Sequence, residues 1–209
     1  MKFAAFIVEA GQTSLLLAIV FVMGASLLLG MGLPTPACYI ILAILAGPAL
    51  IKLGMPVLAA HMLIFYYGVF AGLTPPVGIA FMTAAGIAGS KQMETGLQAC
   101  KIAFLGLLVP IIWTYKPAII LMGSFGEIIW VFLTTAIGMV AANLGFIGYS
   151  FLKGVGFTMR IVFFALGLAI IFTGVWYQLI LIPIFLATLY HHEFGFTTTP
   201  ISNLLGEKK

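Results

Sequence analysis

The sequence predicts an all-α integral membrane protein: a re-entrant helical hairpin, then a broken transmembrane helix, then about three further transmembrane helices. Three observations carry this. The 209 residues are 63% hydrophobic and only 7% charged, with a mean hydropathy of +1.25; a soluble domain carries roughly 25% charged residues. Several apolar runs approach or exceed the roughly 20 residues a helical span needs. Two of these runs are interrupted deep inside, by Gly30-Met31-Gly32-Leu33-Pro34-Thr35-Pro36 and by Gly72-Leu73-Thr74-Pro75-Pro76-Val77-Gly78.

The elements follow in order. Residues 1–12 read as an interfacial start with Lys2 and Glu9 on a short amphipathic piece. The start has the basic residue and apolar stretch of a signal peptide. However, the stretch runs on into the first Gly-Pro break with no small-residue cleavage site, so it is expected to belong to the mature chain. Residues 13–51 are the expected hairpin, with its tip at residues 30–36. The second arm, residues 37–51, is short for a full span, which a chain that enters and leaves on one side explains. Two complete spans joined by an external turn remain an alternative. Gly54-Met55-Pro56 is a turn.

Residues 57–88 form the broken helix. Pro75 and Pro76 lack a backbone N–H and clash with the carbonyl one turn back. Gly72 and Gly78 tolerate the backbone angles of a break. In lipid, unpaired backbone groups cost several kcal/mol each, so such a break is expected where it lines a polar cavity or is buried in protein. His61 has Phe65 one turn on and reads as a packed or interfacial residue before a proton relay. Residues 89–101, with Lys91, Gln92, Glu94, Gln98 and Lys101, form an expected amphipathic surface connector. Residues 102–122 form the next transmembrane helix, kinked at Pro110, with Lys116 able to snorkel to the interface. Residues 124–209 are expected to add two transmembrane helices and a polar tail. Asn143 is the strongly polar residue of the first, and residues 161–190 form the second. Trp176, Tyr177 and Tyr190 are candidate interface anchors.

Composition also narrows the function. The nine Lys and Arg residues are scattered at segment ends, with no basic patch for nucleic acid. Cys38 and Cys100 lie far apart and read as apolar-packed free thiols. His191, His192 and Glu193 follow the last span and read as a polar interfacial end, not a metal site. No nucleophile has a plausible base, and His61 and Asn143 are not paired in sequence, so an enzyme is not expected. Loop charge places Lys91, Lys101, Lys153 and Arg160 on one side, which is then cytoplasmic.

The run at residues 30–36, the Gly-Met-Pro turn and the run from Gly68 to Gly78 together resemble the large membrane subunit of TRAP transporters, the tripartite ATP-independent periplasmic carriers. Ala85-Gly86-Ile87-Ala88-Gly89, Thr95-Gly96-Leu97-Gln98-Ala99, Val109-Pro110 and Tyr115-Lys116-Pro117-Ala118 are similar to the fused permeases of that family. The resemblance covers residues 11–123. It implies an elevator-type carrier of two inverted repeats, of which residues 1–123 would be the second. It implies sodium-coupled import of organic acids, dicarboxylates among them, delivered by a periplasmic binding protein across a bacterial or archaeal cytoplasmic (inner) membrane.

By that resemblance, Gly30, Gly32, Thr35, Gly72 and Thr74 would bind sodium. Pro34, Thr35, Pro75, Pro76 and Gly78 would face the substrate. No cofactor is implied beyond the coupling ion. The first repeat and the small membrane subunit would be further partners, and the chain would be the C-terminal portion of a permease. The rival reading is a structural or assembly subunit, or a transport-dead remnant, in which both breaks are packing kinks.

Overall fold

The computed structural model describes residues 14–194, and every regular element among them is helical apart from one isolated bridge between Tyr149 and Gly154. The interfacial start and the polar tail expected from the sequence lie outside the described residues. The chain forms two compact units, Met1–Met122 and Gly123–Lys209.

In the first unit, α1 (Leu15–Gly30) and α2 (Thr35–Leu45) are joined by a short turn. Pro36 falls in the first turn of α2, where a missing N–H costs little. Pro48 does the same for α3 (Gly47–Lys52), and Gly54, at φ +91°, turns the chain toward Pro56. Then α4 (Val57–Phe70) runs into a single 3-10 turn, Ala71–Leu73. After residues 74–78 the helix resumes as α5 (Ile79–Ala88), closed by the left-handed Gly89. The core centres on α4, whose Leu63, Ile64 and Tyr67 are fully buried with Ile19 and Val22 of α1, Leu42 of α2 and Leu50 of α3.

Contacts fix the directions of the hairpin arms. A side chain at Gly30, the end of α1, would meet Ala71 and the Gly68 carbonyl at the end of α4. Gly68 also faces Thr35 and Cys38 at the start of α2, whereas Gly47 faces His61 near the start of α4. Thus α1 runs parallel to α4, α2 runs back antiparallel, and the tip is level with the break.

The stretch after Gly89 differs from expectation. The connector and the next helix are one near-continuous run: α6 (Gln92–Ala103), a 3-10 segment (Phe104–Leu108) and α7 (Val109–Tyr115). This 24-residue run is long and apolar enough to cross a membrane. Its polar residues cluster in the first turns, and nothing between Gln92 and Ala103 breaks the helix. The irregularity falls just before Pro110, because Pro110 has no N–H to give to the carbonyl of Gly106. That oxygen accepts from the Val109 amide and, at 3.0 Å, from the Tyr66 hydroxyl, and Tyr67 donates to the Leu107 carbonyl at 2.9 Å.

The second unit contains α8 (Phe125–Ile147), α9 (Phe157–Phe172) and α10 (Val175–Phe194). Residues 161–190, expected as one helix, are therefore parts of two. The turn falls at Thr173 and Gly174, where Thr173 is extended (ψ 166°) and its hydroxyl donates to the Ala169 carbonyl at 2.6 Å. Of the three, α8 and α10 are long and apolar enough to cross a membrane.

The pairing of α8 with α9 is backbone to backbone. A side chain at Gly167 of α9 would collide with Ala142 N and the Gly138 carbonyl of α8, and one at Gly145 with the Arg160 carbonyl. Small residues permit this approach in membrane helices, where dispersion and hydrogen bonds replace the hydrophobic drive. Buried Gln178 of α10 ties the three helices: it accepts from Trp130 Nε1 at 2.8 Å and donates to the Ile170 carbonyl at 2.9 Å. Arg160, expected only as a loop charge, caps α8 by donating to the carbonyls of Gly145 and Phe146 at 3.1 and 2.8 Å. Trp176 and Tyr177 at one end of α10 and Tyr190 near the other are all exposed.

Gly167→Val should destabilise the full chain by about 2 kcal/mol, the scale of overpacking a tight interface. Gly174→Ala, which meets open space, should change stability little. Reversible unfolding in mixed micelles measures both.

Candidate functional site

The two Gly-Pro breaks meet in one pocket of about 450 Å³. From the hairpin tip it is lined by Gly30, Met31, Gly32, Leu33, Pro34 and Thr35. From the broken helix come Gly68, Gly72, Val77, Gly78, Ile79 and Ala80. One side chain of this lining, Thr35, carries a hydroxyl; the remaining polarity is backbone.

The prolines explain that backbone polarity. In a regular helix the N–H of residue i bonds to the carbonyl of residue i−4. Gly30 ends α1 and Gly32 lies in the turn before α2, and Pro34 and Pro36 keep the chain from running on as one helix that would give those carbonyls donors. Pro75 and Pro76 do the same to Ala71 and Gly72. The Ala71 oxygen is recovered locally, accepting from the Thr74 amide at 3.1 Å and the Thr74 hydroxyl at 2.9 Å. Gly30, Gly32 and Gly72 remain as pocket-lining residues with a released carbonyl each.

Two helix N-termini open onto the same space. The first turn of α2 begins at Thr35 and that of α5 at Ile79, and neither has a side-chain cap hydrogen bond. Their amides carry a partial positive charge, and the C-terminal ends of α1 and α4 carry a partial negative one. The pocket thus presents both signs without an ionised side chain. Hard oxygens suit a small cation, and capless N-termini suit a carboxylate.

Glycine is required by close approach at two points. At Gly30 a side chain would be 2.5 Å from the Ala71 Cβ and 3.1 Å from the Gly68 carbonyl. At Gly78 it would strike the Gly72 carbonyl and the Phe81 ring. The Pro75-Pro76 peptide bond is cis.

Of the residues singled out from the sequence, Gly30, Gly32, Pro34, Thr35, Gly72 and Gly78 line the pocket. Thr74, Pro75 and Pro76 are not among its lining residues. The Thr74 hydroxyl proton is engaged with Ala71, and the Pro75 ring lies 2.8 Å from where a side chain on Gly96 would begin. The sequence reading missed Met31, Leu33, Gly68, Val77, Ile79 and Ala80. Gly68 had a signal, being a small residue one turn before Gly72 on α4. His61 lies outside the pocket and pairs through Nδ1 with the Tyr39 hydroxyl at 3.0 Å. Asn143 belongs to the second unit.

Among the described residues the chain is helical apart from one isolated bridge, and three of its helices are long and apolar enough to cross a membrane, the build of an integral membrane protein. Residues 1–128 match the family model of the tripartite ATP-independent periplasmic transporter, DctM component, and the chain belongs to that family of transporters, which are not enzymes. No curated protein and no solved structure matches the chain.

Gly30→Val should force α1 away from α4 and destabilise the first unit by about 1–3 kcal/mol. Gly32→Ala, which meets open space, should stay within about 0.5 kcal/mol of the parent. Equal effects in thermal unfolding would show that the tip does not pack on the broken helix.

Proposed function

We propose that this chain is the part of a TRAP permease that carries one hairpin and one broken helix of a sodium-coupled organic-acid importer. The single observation that carries this is the convergence of both proline-broken tips on one pocket with released carbonyls and uncapped helix N-termini. Packing kinks would need to satisfy their own backbone; they would not need to pool it. Released carbonyls of Gly30, Gly32 and Gly72 would hold sodium, with the Thr35 hydroxyl beside them. The first turns of α2 and α5 would hold a substrate carboxylate, with Pro34, Pro75, Pro76 and Gly78 shaping the turns that aim them. Thr74 would act through its bond to Ala71, or as a further oxygen ligand through its lone pairs.

The hairpin is proposed to be re-entrant. The arms support this: at about 1.5 Å per residue, the 16 residues of α1 reach about 24 Å, against a hydrocarbon core of about 30 Å. A second hairpin and broken helix would complete an elevator-type site in the cytoplasmic membrane. A periplasmic binding protein would deliver the acid, and a small membrane subunit would be a further partner.

The test is sodium-dependent uptake by the assembled transporter in proteoliposomes. Thr35→Ala should raise the sodium concentration for half-maximal uptake about tenfold, equivalent to about 1.4 kcal/mol, with normal insertion. Thr74→Ala should raise it less. Unchanged sodium activation in both would remove these hydroxyls from the ion site.

Cysteine labelling tests the hairpin independently. Lys52→Cys should react from one side of the membrane, Lys91→Cys from the other, and Leu33→Cys far more slowly than either. Labelling at Leu33 as fast as at Lys91, and from that same side, would mean two full spans.

A further inference from the structure

Two segments of the first unit leave the α-helical path inside apolar runs: residues 71–78 after α4, and Phe104–Leu108 between α6 and α7. The second is a 3-10 stretch in the middle of a 24-residue run long and apolar enough to cross a membrane. Mid-helix stretches of this kind often mark hinges, and in a membrane they persist only where something takes up the backbone they loosen. Here α4 does so, with Tyr66 donating to the Gly106 carbonyl and Tyr67 to the Leu107 carbonyl. The two breaks also lie side by side. The thiol of Cys100, one turn before the second break, donates to the Leu73 carbonyl of the first at 3.5 Å. A side chain at Gly106 would begin 2.9 Å from the Phe70 ring, which immediately precedes the first.

The helices between the breaks form one body. Among the described residues, α5 and α6 pack chiefly on each other, through buried Phe81 and Ala85 of α5 and buried Gly96 of α6. A side chain at Gly96 would begin 3.0 Å from the Phe81 ring. Their other main contacts are with the two 3-10 segments themselves, not with the helices of the hairpin or with α4. By contrast, α7 belongs with α4: Trp113 is buried in the α4 core and stands edge-on to Tyr66, ring centroids 5.5 Å apart. The chain therefore passes between two bodies twice, once at each break. The pocket straddles their boundary. The hairpin tip, Gly68 and Gly72 line it from one body, and Val77, Gly78, Ile79 and Ala80 from the other.

We propose that α5 and α6 swing as a single lobe about the two adjacent breaks, and that this swing opens and closes the pocket. The phenols of Tyr66 and Tyr67 pin the far side of the second break to α4, so the bending falls between Ala103 and Gly106. Closure carries the first turn of α5 toward the carbonyls of Gly30, Gly32 and Gly72. The inference rests on the transport reading only for what fills the pocket; the swing itself does not need it.

Double electron–electron resonance on the full-length chain in nanodiscs tests it. Nitroxides are placed at exposed positions in a Cys38→Ala, Cys100→Ser background. The pair Leu28→Cys with Ile87→Cys spans the breaks, Ile87→Cys with Ile102→Cys lies within the lobe, and Leu28→Cys with Ile44→Cys lies within the other body. The distance distribution across the breaks should be wider than both others. Pro110→Ala, which offers the Gly106 carbonyl an α-helical donor, should narrow that distribution alone. A distribution across the breaks as narrow as those within the bodies overturns the proposal. A distribution within the lobe as wide as the one across the breaks also overturns it, because α5 and α6 would not then move as one. No narrowing by Pro110→Ala in a folded chain removes the second break from the hinge and overturns it too. Exchange of choline chloride for sodium chloride separates the swing from the ion assignment. A shorter and narrower distance across the breaks in sodium supports both. A wide distribution unmoved by sodium supports the swing and counts against the sodium assignment.

Discussion

The constraint on which the first unit depends is that a backbone carbonyl cannot be left alone in lipid. Four prolines, two in each break, keep the helices from running through and leave carbonyls there without helical donors. The protein answers in two ways. At Ala71 it replaces the lost donor locally, with Thr74. Gly30, Gly32 and Gly72, whose carbonyls also lack a helical donor, line one pocket. Both the packing of the hairpin against α4 and the chemistry of the pocket follow from that second answer.

Small residues make the gathering possible. The hairpin tip reaches the broken helix because Gly30 meets Ala71 and Gly68, without larger side chains between them. Cys38, buried beside the same contact, donates its thiol to the Ser26 carbonyl at 3.6 Å and helps join α1 to α2. In the second unit, glycines at 138, 145 and 167 serve a different end, the direct apposition of two helices. The same residue type thus marks breaks as well as close packing in one unit and close packing in the other.

That ambiguity explains how far the sequence could be read. Apolar runs and proline-rich breaks are local signals, and the helical architecture and both breaks were legible from them. Partnership across space has no local signal. Nothing near Pro75 announces that its ring lies against Gly96, and nothing near Ile79 and Ala80 announces that the resumed helix lines the pocket. Hydropathy runs through Thr173 and Gly174 without a dip, so α9 and α10 read as one helix. The reverse error fell at residues 89–101, where polar residues suggested a separate surface helix although no breaker divided them from the apolar turns that follow.

The link between Tyr66 and Gly106 has a historical consequence. With proline at position 110, the Gly106 oxygen is shared between the Val109 amide and a phenol from another helix. An alanine at 110 would offer that oxygen a further N–H and make the phenol less needed. Loss of the hydroxyl while the proline persists would leave the oxygen with the Val109 amide alone. The two positions are therefore coupled: the tyrosine costs least to lose in a lineage where the proline has already gone.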